Sequence, residues 1–484
     1  MTPTISLSNV EATFVHLLDD FATKLDPPVE CRIAGGWVRD KLLSLPSSDL
    51  DIALSIPSGH AFAVQFVDYL KTKDIATGSV GRVAANPEQS KHLETGTTRI
   101  LGLECDFVGL RSETYADSRI PQVRPGTPLE DASRRDLTIN ALFYNVHTRQ
   151  VEDFTERGLS DLKQKIACTP LPPRQTFHDD PLRILRCVRF ASRFDLTIDQ
   201  QVMDAIKEED VKAAISTKVS KERIGIEVTK MLHNNPFKAM TLIDNLGLHS
   251  SVFHCEVDPP RASASASAQI LSQLNGRFLV DETLWLATAA TPFAGVNIKR
   301  KGKDLPAAAI VISEGLKLST EVKNNVANLF EAVKLIDPNA SAGRSEIGVW
   351  MQHPSVRPWD RSLTWAVVMA VLPGWKGQWD GEAEAIARLY QNLRQRIVNM
   401  GLIEAIDKPL LINGTEMQQL LSIRPSPLFQ TIRQALNAWQ LDHPESGKED
   451  AEVWLKQMWE GEGREEWEAN CQPKGGVKGE KRKR

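Results

Sequence analysis

Cysteine is scarce and unpaired. Six cysteines are scattered through 484 residues, and no two stand in a Cys-x-x-Cys spacing. A chain of this length needs no disulfide staples, so the pattern suits a reducing compartment and argues against a zinc ribbon or an iron–sulfur site. No apolar run reaches the roughly 18 residues that a membrane-spanning helix requires. The opening MTPTISLSNVEATFVHLLDDF lacks a basic start followed by an apolar core, and no arginine precedes Arg32. A secretory signal is therefore excluded as a reading, and a mitochondrial presequence fits poorly. Positive charge is also missing in excess: 58 Lys and Arg against 62 Asp and Glu leave −4. That excludes a uniformly basic nucleic-acid binder but not a local basic face.

What is present is ordinary for a soluble globular chain, with 42% hydrophobic and 25% charged residues. The length suggests about two to four domains. Up to residue 150 the chain mixes short apolar runs with turn signals. Glu30–Ala34 reads as a strand ending at Gly35-Gly36, Trp37–Leu45 as a helix, and Leu50–Ile56 and Ile100–Leu110 as strands. Gly81–Thr98 is polar and reads as a loop or a ragged hairpin. This predicts a small mixed sheet carrying helices. From Pro181 onward the pattern is helical almost throughout. Asp258-Pro259-Pro260 and the following ASASASA of Ala262–Ala268 read as a linker or exposed loop. Ten of eleven tryptophans follow residue 284 and read as core rather than base-stacking platforms. The last eleven residues, with six basic side chains against one Glu, read as a disordered tail. There is no internal repeat.

Chemistry concentrates in three clusters. In the first, Gly35 and Gly36 lie between a strand and a helix, where the backbone can approach a phosphate closely. Asp49 and Asp51 follow on one strand, two apart, so both carboxylates share a face. A lone Asp-x-Asp is usually a solvated turn. Beside GGWVRD it reads instead as a Mg²⁺ site completed by substrate phosphates. A third carboxylate is expected on a neighbouring strand, and Asp106 and Glu104 compete for it.

The second cluster, Arg134–Ala141 (RRDLTINA), sets two guanidiniums beside an acid, with Asn140 one turn later. Arginines suit triphosphate oxygens, and Asp136 or Asn140 suits ribose hydroxyls. In the third, Asp179-Asp180-Pro181 opens a helix carrying Arg183, Arg186, Arg189 and Arg193 within an arc of about 120°, with no acid on it. That arc reads as a phosphate-binding surface, and Ile184, Leu185, Val188 and Ala191 as the packed side. One of the two aspartates also suits a helix cap. An acceptor (Asp180) beside a donor (Arg183) matches a base edge that offers an amino group next to a ring nitrogen. Cytosine and adenine offer that pattern; guanine and uracil offer the reverse.

Together these segments resemble the class II tRNA nucleotidyltransferases, the CCA-adding enzymes of the polymerase β-type superfamily. GGWVRD with DLD looks like their metal and triphosphate motif, RRDLTINA like the ribose motif, and DDPLR like the base-reading E-D-x-x-R, with Asp179 in place of the usual Glu. Ser220–Glu227 looks like a later motif that buttresses the nucleotide helix. Asn86–Thr95 and Gly126–Ala132 look eukaryotic and closest to fungal members. The match runs from about Arg32 to Lys230.

The resemblance implies an α/β head (1–152) and all-α neck (153–245), body (246–400) and tail (401–470), then a basic C-terminus (471–484). It implies template-independent addition of CCA to tRNA from CTP and ATP, by a monomer using Mg²⁺. Asp49 and Asp51 would be the metal ligands, with Asp106 also catalytic. Gly35, Gly36, Arg39, Arg135, Asp136, Asn140, Asp180, Arg183 and Arg186 would bind nucleotide. Body and tail would take the acceptor arm and TΨC side of tRNA, and Lys299–Lys303 would touch phosphates or form a solvated loop. Alternatives are a CC-adding or A-adding specialist, a poly(A) polymerase, or a non-catalytic tRNA-binding homologue. The long segment Gly81–Thr98 favours full activity or A addition, because CC-adding forms are associated with a lost loop. Location is expected in cytoplasm and nucleus, with Lys481–Arg484 a nuclear signal or an RNA-binding tail, and in mitochondria only from an upstream start.

Overall fold

The computed structural model describes residues 3–83, 94–115, 121–257, 262–300, 302–338, 342–461 and 463–470. Most of Asn86–Thr95, the Asp258–Pro260 segment, Lys301 and the basic C-terminus lie outside them. The chain divides into two compact units, Met1–Arg261 with Ile310–Ser319, and Ala262–Ala309 with Thr320–Arg484.

The first unit begins with helix α1 (Asn9–Ala22), strand β1 (Cys31–Ala34), helix α2 (Gly36–Leu42), strand β2 (Asp49–Leu54) and helix α3 (Gly59–Lys71). Strands β3 (Gly81–Val83), β4 (Thr95–Ile100) and β5 (Leu103–Gly109) follow, then the hairpin β6 (Arg111–Thr114) and β7 (Gln122–Pro125). After helix α4 (Pro128–Ser133) come β8 (Phe143–Asn145) and β9 (Val151–Glu152). Seven of these strands form one sheet in the order β3-β4-β5-β2-β1-β8-β9. Among the described residues its only parallel pairing is β2 with β5.

The expected mixed sheet is present, with two differences. Ile100–Leu110 is not one strand: Leu101 and Gly102 take φ of 52° and 84° and turn the chain back between β4 and β5. The described ends of Gly81–Thr98 do form the hairpin β3–β4.

Alternation in β2 decides the use of the two faces. Leu50 and Ile52 are buried, whereas Asp49 and Asp51 point the other way and are exposed. Below the sheet, Phe107 of β5 meets Phe62 and Phe66 of α3 with ring centroids 5.6 and 6.0 Å apart. Gly59 lets α3 approach this closely, since a Cβ there would lie 1.9 Å from the Phe107 carbonyl oxygen.

Short elements lead into a helical array: α5 (Gly158–Gln164), β10 (Ile166–Ala167), α6 (Pro173–Asp179), α7 (Leu182–Arg193) and β11 (Thr197–Ile198). Next are α8 (Gln200–Lys207), α9 (Glu209–Lys218), α10 (Lys221–Leu232), α11 (Pro236–Asn245) and α12 (His249–Val252). Ile184, Leu185, Val188 and Ala191 of α7 are buried as expected, and α10 and α11 pack against this helix.

The second unit is helical apart from the hairpin Asn297–Arg300 and Lys303–Pro306. Its first helix, α13 (Ala262–Leu274), corrects the linker reading of ASASASA. The small side chains are what permit close packing on α14 (Glu282–Ala290). Ser267 is fully buried and donates to Ala264 O, with Thr288 O at 3.3 Å, and accepts from Thr291 Oγ1. Trp365 and Trp467 are buried, whereas Trp439 and Trp454 are only partly covered and stack at 5.3 Å.

Gly59→Ala should lower stability by about 1–3 kcal/mol, because backbone rather than a flexible side chain must yield. Urea unfolding of the full chain measures it. An unchanged midpoint would mean that α3 rides freely on β5.

Candidate active site

A cavity of about 770 Å³ opens on the exposed side of β2, and all its lining residues belong to the first unit. Its floor is the carboxylate row. In the parallel β2–β5 register Asp51 lies opposite Asp106, and Asp49 opposite Glu104. Asp49, Asp51 and Asp106 line the cavity, whereas Glu104 does not. Glu104 is instead exposed and accepts from Arg99 Nη2 at 2.6 Å. The geometry thus separates the two candidates for third carboxylate.

Solvent reaches Asp51, yet the surrounding protein strips much of its hydration and raises its pKa. Arg135 opposes the rise and Asp49 adds to it. Asp106 is also raised, first by burial and then by Asp51, Asp49 and Glu104. This is a hard-oxygen donor set whose mutual repulsion Arg135 relieves only in part, and such a set fits a divalent cation. Among the described residues no three His, Cys, Asp or Glu side chains already form a metal cage. Mg²⁺ needs none, because it takes one or two carboxylates and fills its shell with water and phosphate oxygens.

The glycine turn has a specific cause. Gly35 has φ of 69°, and a Cβ there would lie 2.7 Å from Arg135 Nη1. That guanidinium crosses the turn to donate to Asn140 O at 3.0 Å. Gly36, by contrast, has room for a Cβ.

Arg39 is buried. It donates to Asp40 Oδ1 and to Asn140 Oδ1, and its guanidinium carbon lies 5.0 and 4.4 Å from the ring centroids of Phe190 and Phe194. Asn140 donates in turn to Asp136 Oδ1 at 2.9 Å, and Arg186 Nε to Asp136 Oδ2 at 2.6 Å. Burial alone would raise Asp136, but Arg186, Asn140 and the Leu137 N–H bring it down to about 2. Both predicted ribose residues therefore reach the cavity wall, with the Asp136 carboxylate largely engaged by protein.

Helix α7 corrects the reading of an arginine arc without partner acids. The helix itself carries none, but other elements supply them. Arg186 pairs with Asp136, and Arg189 with Glu227 of α10 at 2.6 Å. Arg183 lies 3.7 Å from Glu113 and Arg193 lies 3.9 Å from Asp40. A guanidinium buried as deeply as Arg183 or Arg189 requires such a partner. All four still line the cavity. Glu227 also gives physical form to the expected buttress of Ser220–Glu227.

Asp180 and Arg183 both face the cavity at the start of α7. Asp180 Oδ1 accepts from Leu182 N at 3.2 Å, the first N–H of the helix, while Pro181 holds the cap position. Its second oxygen lies 3.6 Å from Arg223.

Sequence reasoning missed Asp131, Glu113, Tyr115, Phe190 and Phe194. Asp131 is buried and accepts from Arg134 at 2.7 Å and Arg135 at 2.9 Å, which hold it at about 2 against the opposing effect of burial. Its spacing of three and four from those arginines, on a helix capped by Thr127, was a usable signal.

Residues 31–168 match the family model described as the poly A polymerase head domain. The chain is 34% identical to the mitochondrial CCA tRNA nucleotidyltransferase of Saccharomyces cerevisiae, over 94% of either chain. Its fold is similar to a CCA-adding enzyme in complex with ATP (TM-score 0.65, 19% identity, covering 94% of this chain and 96% of that one). It is equally similar to the Bacillus stearothermophilus CCA-adding enzyme in complex with CTP (TM-score 0.64, 19% identity, covering 96% and 100%).

Asp131 and Asp136 titrate well below the ordinary carboxylate value, so their charges stabilise the fold above about pH 4. That contribution is lost as pH falls through about 2. Asp131→Asn should therefore weaken the chain at pH 7 by about 3 kcal/mol or more, taking from Arg135 its carboxylate partner and leaving Arg134 with Glu113 alone. It should also flatten the loss of stability between pH 4 and pH 2. Denaturant unfolding across pH measures both, and a variant with the slope of the parent chain refutes the assignment.

Proposed function

The chain belongs to the CCA tRNA nucleotidyltransferases, and from that premise we propose how its cavity adds CCA to the 3′ end of tRNA without a nucleic-acid template. The observation that carries this reading is one cavity joining the Asp49–Asp51–Asp106 floor to the Asp180–Arg183 pair. The terminal ribose hydroxyl of tRNA attacks the α-phosphorus of CTP or ATP. A new phosphodiester bond forms, the bond to the β-phosphate breaks, and pyrophosphate leaves.

Asp49 and Asp51 would hold Mg²⁺, with Asp106 beside them. When bound, the metal activates the attacking hydroxyl and offsets the charge of the leaving pyrophosphate. Arg135 crosses the glycine turn toward this floor and is suited to triphosphate oxygens. Asn140 lies nearest the ribose, and Asp136 orients it. Arg186 serves the nucleotide while fixing Asp136. Gly35 and Gly36 let the phosphates approach the backbone. Arg39, which also lines the cavity, serves the nucleotide while acting as a strut between Asn140 and α7.

Asp180 accepts from the base amino group and Arg183 donates to the adjacent ring nitrogen, which admits C and A and rejects U and G. The body and tail (246–470) take the acceptor arm and TΨC side of tRNA, and head (1–152) and neck (153–245) hold the nucleotide. The yeast relative's mitochondrial designation supports a mitochondrial pool beside the cytoplasmic and nuclear one suggested by Lys481–Arg484.

Product length on a tRNA lacking CCA, with CTP and ATP supplied separately and together, tests full addition. Three added residues are expected; a stop at two, a single A or a long A tract identifies a specialist or a poly(A) polymerase. Asp51→Asn should abolish incorporation yet retain tRNA binding. It should melt no lower than the parent at pH 7, because a carboxylate with a raised pKa opposes folding once ionised. Near-normal turnover in this variant would sink the metal assignment. Asp180→Ala should relax the choice between C or A and U or G, read with all four nucleotides. Unchanged selectivity would remove Asp180 from base reading.

A further inference from the structure

Arg183 meets a part of the head that none of the sequence motifs includes. The β6 strand is outside the seven-stranded sheet, and it delivers Glu113 and, just beyond its end, Tyr115 to the cavity wall. The Arg183 guanidinium donates from Nη2 to the Tyr115 hydroxyl at 3.2 Å and from Nη1 to the Thr176 carbonyl at 3.4 Å. The Tyr115 hydroxyl donates to Glu113 Oε2 at 2.6 Å. Glu113 is itself almost fully buried, accepting from Arg111 Nε at 2.9 Å and Arg134 Nη1 at 3.3 Å.

We propose that Tyr115 and Glu113 are positioning residues for nucleotide selection, holding the Arg183 guanidinium in the one orientation that presents its free N–H groups to a cytosine or adenine edge. This rests on the reading of Arg183 as a base-recognising group.

Proton order fixes the arrangement. A guanidinium can only donate, so the tyrosine oxygen beside it must accept. A free hydroxyl rotates, whereas this one has its proton claimed by a carboxylate, which leaves a lone pair for Arg183. Burial would raise Glu113, but Arg134, Arg111 and the Tyr115 hydroxyl outweigh it and keep the group ionised and able only to accept. The tyrosine ring, 5.7 Å from the guanidinium carbon, limits the swing of that group on one side. A guanidinium pinned at both terminal nitrogens has a defined set of remaining donors. Once released, it can turn about its Cδ–Nε bond and find an acceptor on uracil or guanine.

Tyr115→Phe removes the hydroxyl and keeps the ring. In the full-length chain acting on tRNA, the ratio of kcat/KM for CTP over UTP should fall about tenfold, the size of one charge-assisted hydrogen bond. Glu113→Gln, which keeps an acceptor, should lose less selectivity than Glu113→Ala. In an Arg183→Lys background, Tyr115→Phe should change the ratio no further, since it acts through the arginine.

Wild-type selectivity in Tyr115→Phe overturns the positioning role. So does an undiminished effect of Tyr115→Phe in the Arg183→Lys background. If Arg183→Lys alone leaves selectivity intact, the base-reading assignment falls and the positioning role falls with it. Thermal melting accompanies each variant. If Tyr115→Phe melts early, the comparison of Glu113→Gln with Glu113→Ala at matched stability decides the question: equal selectivity in the two overturns the proposal.

Discussion

The ion pair between the buried Asp136 and the partly exposed Arg186 is the contact on which the site depends. Asp136 stands near the start of the head's second cluster and Arg186 on α7, fifty residues away. From Asp136 a chain of contacts continues through Asn140 to Arg39, and Arg39 lies against Phe190 of the same α7 and Phe194 at its end. The path therefore closes on itself. The sheet that carries the carboxylate floor and the helix that carries the base-reading pair are tied at two points, one ionic and one aromatic. Breaking the ionic tie leaves the buried Asp136 carboxylate without its guanidinium, so the relative placement of floor and wall resists gradual drift.

Charge is distributed by function. Arg134, Arg135, Arg186 and Arg189 each meet a buried or nearly buried carboxylate, and their partners Asp131 and Asp136 are driven to low pKa. Asp51 and Asp106 go the other way, gathered where burial and mutual repulsion raise them. The first group rigidifies the cavity. The second stores an electrostatic demand that an incoming cation and its phosphates satisfy. The net charge of −4 hides both.

What was readable in the sequence was short-range. Strand alternation placed Asp49 and Asp51 on one face, turn chemistry placed Gly35, and helix geometry brought Asp180 near Arg183. What was not readable depends on pairing between distant segments. Tyr115 reaches Arg183 across 68 residues, and Glu227 reaches Arg189 across 38, with no local periodicity to announce either. The ASASASA helix failed for a different reason. Composition suggested a flexible tether, but the same small side chains allow α13 to lie close against α14. Register likewise decided between Asp106 and Glu104, because only pairing of β2 with β5 shows which of two same-face acids borders Asp51.

The parallel register of β2 and β5 also governs which changes of chain length the protein can absorb. Strand side chains alternate, so losing or gaining one residue within Asp49–Leu54 or Leu103–Gly109 would turn a carboxylate into the phenylalanine layer and an apolar side chain into the cavity. The connection between those strands has no such parity. Segments entering or leaving β3 and β4 can lengthen or shorten by odd or even steps without disturbing the floor, for as long as both strands return to the same neighbours. Lineages of this chain are therefore free to diversify by insertion there, while the two short strands beside it admit substitution alone.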